Sequence, residues 1–145
     1  GKKYYSDLIF DSVNDDFIRW IENLVNHCQH CLFKNRESWF DDNMEMHDIE
    51  NFFTSPLKPF KSGKYYSVRI NILSNLGIIS NTFYDEDENK INIDAIDDTS
   101  NIVTCLEVSG IKCTATYFQF EFILKQMLVL KPITLFEKCI IKPKI

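Results

Sequence analysis

KPFKSGKYYSVRI, residues 58–70, introduces the β-type patterning of the chain. From Lys64 to Leu73 apolar and polar side chains alternate, which is the period of a β-strand with one buried face. The inward positions of this strand are Tyr66, Val68, Ile70 and Ile72, and its outward positions are Tyr65, Ser67, Arg69 and Asn71. The alternation therefore predicts a strand over 64–73 that carries Tyr65 and Arg69 on its open face.

The same stretch is basic, although the whole chain has a formal net charge of −5. No Asp or Glu occurs from Thr54 to Tyr84. The cations of this window are Lys58, Lys61, Lys64 and Arg69. Proteins hold single-stranded nucleic acid without sequence readout by stacking aromatic rings on bases and placing cations at phosphates. Tyr65 and Arg69 fit that pattern, and a solvated strand face with a partly buried tyrosine is the alternative that their spacing leaves open.

Length and composition indicate one domain with an apolar core. The chain has 145 residues, 45% of them apolar, and domains of this size bury most of their apolar surface. No apolar run of about 18 residues is present, so we expect no transmembrane helix and no membrane partner. The start GKKYYSDLIF lacks the apolar segment of a signal peptide. Five cysteines at irregular spacing indicate reduced thiols, and therefore an intracellular protein in a reducing compartment.

A long amphipathic helix is predicted before the basic stretch. Apolar side chains recur there at intervals of three and four residues, which lines one face of an α-helix. These side chains are Phe17, Ile18, Ile21, Leu24, Val25, Cys28 and Leu32. Asn14 is expected to cap this helix, with Asp15 and Asp16 in its first turn. A short strand is predicted before it, over Tyr4 to Phe10, and a shorter helix after it, from about Met46 to Phe53 and ending before the next proline.

The segments after residue 73 are predicted to be strands and turns. The turns are Ser74 to Gly77, the acidic DEDENK segment that begins at Asp85, and one helical turn over Asp94 to Asp98. The strands are Ile78 to Tyr84, Ile102 to Val108, and the longest one within Cys113 to Lys131, where Phe118, Phe120, Phe122 and Leu124 share a face. About five strands with one long N-terminal amphipathic helix predict an α+β or mainly β domain, a small barrel or sandwich with a helical attachment.

Two segments carry metal-binding residue types without a complete metal site. NHCQHC, residues 26–31, has two His and two Cys, but a tetrahedral zinc site needs four ligands that converge from two elements. DEDENKINIDAI, residues 85–96, places Asp, Asp and Asn at positions 1, 3 and 5 of a calcium loop. Lys90 and Ile96 stand where that loop needs Gly and Glu. We therefore expect no metal, a buried Cys28 beside exposed histidines, and a solvated acidic turn.

Catalytic motifs are missing from the sequence. The four glycines, at positions 1, 63, 77 and 110, do not form a phosphate-binding loop. Neither a His-Glu-x-x-His helix nor a nucleophile elbow is present. We therefore expect a protein that is not an enzyme and that uses no cofactor.

A second basic segment lies in the last third of the chain. From Ile111 onward the only acids are Glu121 and Glu137. The lysines of this segment are Lys112, Lys125, Lys131, Lys138, Lys142 and Lys144. We expect the two basic segments to meet on one groove of an otherwise acidic protein.

The order of these features resembles a known family. The amphipathic helix, WFDDNMEMHDIENFFTSPLKPFKSGKYYSVRI, a strand pair, an acidic turn and LEVSGIKCTATYFQFEFILKQMLVL follow one another. This order is similar to that of single-stranded DNA-binding proteins of nucleocytoplasmic large DNA viruses, including mimivirus-like relatives. Those proteins look like the OB-fold single-stranded DNA-binding proteins of short-tailed coliphages. The resemblance covers about Phe17 to Lys131.

The resemblance implies one OB-like nucleic-acid-binding domain over residues 1–145. It implies sequence-nonspecific binding of single-stranded DNA, or of RNA, in viral DNA replication, recombination or repair. The implied location is the host cytoplasm, in the viral factory, or the virion, and a homo-oligomer and replication proteins are implied as partners. The binding residues that the resemblance implies are Lys58, Lys61, Lys64, Tyr65, Arg69, Tyr117 and Lys125. Phe60 and Lys112, which lie in the same two basic segments, complete the set of candidate binding residues.

The end of the sequence departs from the family pattern, and the charge of the chain favours an alternative function. Phage-type members end in an acidic tail that recruits replication partners and competes with DNA, whereas this sequence ends in CIIKPKI. Either the sequence is truncated or tail-mediated partner binding does not apply to it. The pI near 5.2 is lower than that of most dedicated nucleic-acid binders. The alternative is a virion or viral-factory module that binds another protein and no nucleic acid.

Overall fold

The computed structural model describes residues 2–132 and 141. Its α-helices follow one N-terminal strand and precede all the other strands. The helices are α1 (Asp15–Lys34), α2 (Arg36–Trp39) and α3 (Met46–Phe52), with single 3-10 turns at Ser12–Asn14 and Ile93–Ala95. The strands are β1 (Tyr4–Phe10), β2 (Phe53–Thr54), β3 (Lys58–Phe60), β4 (Tyr65–Ile72), β5 (Ser74–Asn75), β6 (Ile78–Ile79), β7 (Thr82–Asp85), β8 (Lys90–Ile91), β9 (Ile102–Cys113) and β10 (Phe118–Val129). Lys138, Lys142 and Lys144 of the second basic segment lie outside the described residues.

Strand β10 is the centre of the main sheet. β9 pairs antiparallel with one of its edges over the whole length of both strands. Its other edge is shared by β2, β4 and β7, which all run parallel to it. β1 and β3 then pair antiparallel with β4, and β8 pairs antiparallel with β7. The mixed sheet therefore has eight strands, and β5 and β6 form a separate hairpin.

The inner face of this sheet forms the core with α1 and α3. Alternating aromatic side chains of β10 are buried, as their period-2 spacing predicts: Phe118, Phe120 and Phe122. Val68 and Ile70 of β4 are also fully buried, as is Leu124. Helix α1 buries Ile18, Ile21 and Leu32. The strand face and the helix stripe that the sequence predicts are therefore confirmed.

The start of α1 differs from the prediction. Asn14 occupies the N-cap position, but its side chain makes no capping hydrogen bond to α1. It belongs instead to a capping box of the preceding 3-10 turn. The Asp11 amide donates to Asn14 Oδ1 at 3.4 Å, and Asp11 Oδ1 accepts from the Val13 amide at 3.0 Å. The expected capping role of Asn14 was therefore wrong. The 3-10 turn continues the helical segment towards the N-terminus, and Asp11 caps that turn.

The strand count of about five was also wrong. Two separate strands stand where one returning strand over Ile78 to Tyr84 was expected. β6 forms a tight hairpin with β5, whereas β7 pairs with β10. Leu76 and Gly77 both have positive φ, 51° and 80°, as the two central residues of a tight hairpin turn require. β9 extends to Cys113 rather than ending at Val108, and the helical turn begins at Ile93. The α+β class itself is confirmed.

Candidate nucleic-acid interface

The outer face of β3, β4 and β1 carries the basic stretch. Side chains that lie directly opposite each other on paired strands share a face. Tyr65 is opposite Phe60, Ser67 is opposite Lys58, and on the other side Arg69 is opposite Asp7. Farther along, Asn71 is opposite Tyr5 and Ser67 is opposite Ile9. These residues form one solvated surface, which we call the outer face.

Two rings and two cations cluster at the hairpin between β3 and β4. The Phe60 and Tyr65 ring centroids lie 6.3 Å apart. Lys61 Nζ lies 5.6 Å from the Phe60 centroid and 5.7 Å from the Tyr65 centroid. Lys64 Nζ lies 5.6 Å from the Tyr65 centroid. These four residues, the hairpin cluster, are all exposed or half-buried, so positive charge stands beside open aromatic rings.

The hairpin turn has an unusual backbone. Lys61 and Ser62 have φ of 49° and 57°, and Gly63 follows at 83°. The Lys64 amide donates to the Lys61 carbonyl at 3.2 Å, so Ser62 and Gly63 are the central residues of a type I′ turn. A left-handed backbone costs a non-glycine residue about 1–2 kcal/mol. The chain carries this cost at both Lys61 and Ser62, and the turn keeps Lys61 Nζ close to both rings.

Arg69 is paired rather than free. Arg69 Nε donates to Asp7 Oδ1 at 2.8 Å, and Arg69 Nη2 donates to Asp7 Oδ2 at 3.1 Å. The guanidinium carbon also lies 4.1 Å from the Tyr5 ring centroid. Both members of the ion pair are about half exposed, at 50% and 43% of the side-chain surface. The outward position of Arg69 agrees with the strand alternation, but its guanidinium group already binds the Asp7 carboxylate.

The pKa values of this pair move in the directions that mutual pairing requires. The hydrogen bonds from Arg69 lower the pKa of Asp7 below its ordinary value, and the charges of Arg69 and Lys58 lower it further. The hydrogen bond to Asp7 raises the pKa of Arg69. Both groups are therefore charged at neutral pH, and the pair is formally neutral.

The three candidate residues of the second basic segment lie apart from the hairpin cluster. Lys112 is on β9 opposite Gln119, and Tyr117 lies half-buried in the turn between β9 and β10. Lys125 is exposed and pairs with Glu107 at 3.0 Å. Within residues 2–132, no hydrogen bond, ion pair or ring contact joins these three to the hairpin cluster. The single groove that was expected from both basic segments stays a prediction.

Three residues of the outer face were not predicted from the sequence: Tyr5, Asp7 and Ile9. Tyr5 and Ile9 are 59% and 50% exposed, whereas Leu8, between Asp7 and Ile9, is buried. The signal was present, because alternation along Tyr4 to Phe10 places residues 5, 7 and 9 on one face. What the sequence did not contain was the pairing of that strand with β4.

The metal-type segments have other partners. His30 Nδ1 contacts the Asn26 carbonyl at 2.8 Å, and Cys28 packs half-buried against the core. Asp85 Oδ1 accepts from the Asp87 and Asn89 amides, both at 2.9 Å, which closes the acidic turn between β7 and β8. In the part of the chain that the structure describes, no three His, Cys, Asp or Glu side chains converge as metal ligands.

The helices of the described residues lack a membrane-spanning segment. α1 is the longest, with 20 residues. Neither it nor any other helix within residues 2–132 has the apolar window that spanning a bilayer requires.

The comparisons with known proteins give a likeness of fold. No protein-family model matches the chain, and no curated protein sequence matches it. The structure is similar to the crystal structure of gp2.5, a single-stranded DNA binding protein encoded by bacteriophage T7, with a TM-score of 0.52. The sequences are 11% identical over 97% of this chain and 82% of that one. The likeness supports an OB-like fold for the chain, with more strands than expected.

Proposed function

We propose that this protein is a non-enzymatic domain that binds single-stranded nucleic acid on its outer face. The observation that carries the proposal is the hairpin cluster, in which Lys61 Nζ lies within 5.7 Å of the ring centroids of exposed Phe60 and half-buried Tyr65. Aromatic rings stack on any base, and cations neutralise phosphates, so such a surface binds without sequence preference.

The charge distribution supports the same surface. Four cations belong to the outer face or its hairpin: Lys58, Lys61, Lys64 and Arg69. Asp7 is the only acid in the sequences of β1, β3 and β4. A polyanion therefore meets a locally basic surface, although the whole chain carries a formal charge of −5. Binding through phosphates is then expected to weaken steeply as salt rises.

The fold supports the proposal independently of these side chains. The similar structure belongs to a single-stranded DNA binding protein, and OB-type barrels commonly bind single strands along one sheet face. The finer parts of the proposal come from the sequence resemblance. They are a viral source, a role in DNA replication, recombination or repair, and a location in the viral factory of the host cytoplasm or in the virion.

Fluorescence anisotropy tests the proposal. A labelled oligonucleotide of about 16 nucleotides covers the usual site size of an OB domain. We expect binding that weakens steeply between about 50 mM and 200 mM salt, with similar affinity for different base compositions and weaker binding of duplex DNA. The absence of binding by micromolar protein at the lower salt concentration would contradict the proposal.

A specific observation favours a second candidate, a protein-interaction module. Val13, Trp20 and Trp39 are 87%, 49% and 55% exposed on the helical side, and Phe17 stacks on Trp20 with centroids 6.0 Å apart. Aromatic side chains are enriched at protein interfaces relative to the rest of the surface. A pull-down with and without nuclease separates the candidates: partners that persist after nuclease treatment favour this module, and partners that all disappear exclude it.

A further inference from the structure

Tyr5, Asp7 and Arg69 form a second group on the outer face, apart from the hairpin cluster. Tyr65 and Arg69 are four residues apart on β4, which corresponds to roughly 13 Å along a strand. The Tyr5 ring is 59% exposed, and the Arg69 guanidinium carbon lies 4.1 Å from its centroid. Asp7 holds the guanidinium through two hydrogen bonds of 2.8 and 3.1 Å.

The chemistry of this group matches one nucleotide unit. The guanidinium fork that binds two carboxylate oxygens binds two phosphate oxygens in the same way. An exposed tyrosine ring supplies a stacking surface for a base. A phosphate-binding fork and a base-stacking ring therefore stand side by side, with a carboxylate in the place that a phosphate would take.

We propose that Tyr5 and Arg69 are a second nucleotide subsite, in which a phosphate of the single strand displaces the Asp7 carboxylate from Arg69. This inference rests on the proposed function and deepens it. Asp7 keeps the subsite weak, because each phosphate that enters must replace an anion that is already paired. Asp7 is thus the residue that sets the affinity of this end of the outer face.

The exposure of the pair argues against a mainly structural role for it. An ion pair with both side chains about half exposed contributes little to folding stability. Its carboxylate lies within a basic surface, where it reduces the local positive charge. Asp7, which pairs with Arg69, is therefore expected to affect the affinity for anions more than it affects the stability of the fold.

Asp7→Asn is the direct test, since it removes the competing charge and keeps the shape of the side chain. We expect tighter binding of a labelled oligonucleotide of about 16 nucleotides. We also expect the slope of log affinity against log salt to steepen by about 0.7, which is an additional factor of roughly 2.6 between 50 mM and 200 mM salt. Asp98→Asn is the matched control, because it removes one exposed acid from a turn away from β1 and β4. It is expected to change binding little.

A double-mutant cycle separates the subsite from a general effect of charge. In the Arg69→Ala background, Asp7→Asn is expected to give no more than the control, because no guanidinium remains to be released. If Asp7→Asn tightens binding equally with and without Arg69, only the net charge matters and the inference is wrong. Tyr5→Ala is expected to weaken binding by roughly fivefold or more, and unchanged binding would also contradict the subsite.

The outcome distinguishes this inference from the proposed function. If the unmodified protein binds the oligonucleotide and Asp7→Asn has no effect beyond its control, the inference fails and the proposed function stands. If neither the unmodified protein nor the Asp7→Asn variant binds, both fail. Circular dichroism and thermal unfolding of each variant confirm that the fold is retained.

Discussion

Phe60 and Tyr65 lie directly opposite each other on β3 and β4, with ring centroids 6.3 Å apart. The turn that joins the strands brings Lys61 Nζ to within 5.7 Å of both centroids. The six residues from Phe60 to Tyr65 thus contain a cross-strand pair of rings, a tight turn and a cation close to both rings. The proposed function requires this arrangement to be a binding surface rather than a solvated hairpin.

Tyr65→Ala is expected to weaken oligonucleotide binding by about 1–3 kcal/mol, because a stacking ring is lost. The salt dependence of binding is expected to stay the same, since stacking is not ionic. Fluorescence anisotropy at several salt concentrations measures both quantities. Tyr65→Phe is the matched control and keeps the ring, so it is expected to retain most of the affinity. Equal losses in the two variants would mean that the hydroxyl, not the ring, makes the contact.

Lys61→Ala is expected to reduce the slope of log affinity against log salt by about 0.7, because one fewer counterion contact is made with a single strand. Lys34→Ala, at the exposed end of α1, removes the same charge on another face and is expected to leave the slope nearly unchanged. The same titration series gives both slopes. If the two lysines prove equivalent, overall charge rather than the outer face determines binding.

Ser62→Asn is expected to stabilise the protein by about 0.5–1 kcal/mol, since Asn tolerates a left-handed backbone and Asn-Gly is the preferred centre of a type I′ turn. Gly63→Ala is expected to cost about 1–2 kcal/mol through its φ of 83°. A Cβ at Gly63 would meet no atom within 4 Å, so a steric clash is not the cause. Urea unfolding measures both changes, and a destabilising Ser62→Asn would contradict the turn assignment.

The Asp7–Arg69 pair predicts a pH dependence with a defined sign. Because the folded-state pKa of Asp7 is lowered, its contribution to stability is present above the unfolded pKa of about 3.9 and is lost as pH falls through the folded value. The difference in the free energy of unfolding between the unmodified protein and Asp7→Asn is therefore expected to shrink below about pH 4. Asp97, whose pKa is lowered by hydrogen bonds from Thr99, titrates in both proteins and cancels. A difference that stays constant to about pH 2 would contradict the pairing.

Local patterns were sufficient for much of the fold. The period of two along residues 64–73 predicted which side of β4 is buried, and Val68 and Ile70 are fully buried. The period of three and four predicted α1, whose Ile18 and Ile21 are buried. Both signals are carried by neighbouring residues and need no knowledge of what packs against them. The two- and three-residue strands were missed because so short a segment has no measurable period.

Pairing between distant segments was the part that local patterns did not contain. Arg69 and Asp7 are 62 residues apart, and the acid that neutralises this arginine follows only from the register of β1 on β4. The same reason explains β7, whose composition predicts a strand but not that its partner is β10. Local patterns therefore predicted the hairpin part of the candidate site. The positions of Tyr5 and Asp7 on the outer face followed only from the strand pairing in the structure.

Photocrosslinking tests the claim that a single strand lies on the outer face. A bromodeoxyuridine-substituted oligonucleotide is bound to the protein and irradiated, and the crosslinked peptides are identified by mass spectrometry. We predict crosslinks within residues 58–66, which contain Phe60 and Tyr65, and their loss at high salt. Crosslinks confined to the helical segment with Trp20 and Trp39, or no crosslinks under conditions that give binding, would contradict the claim.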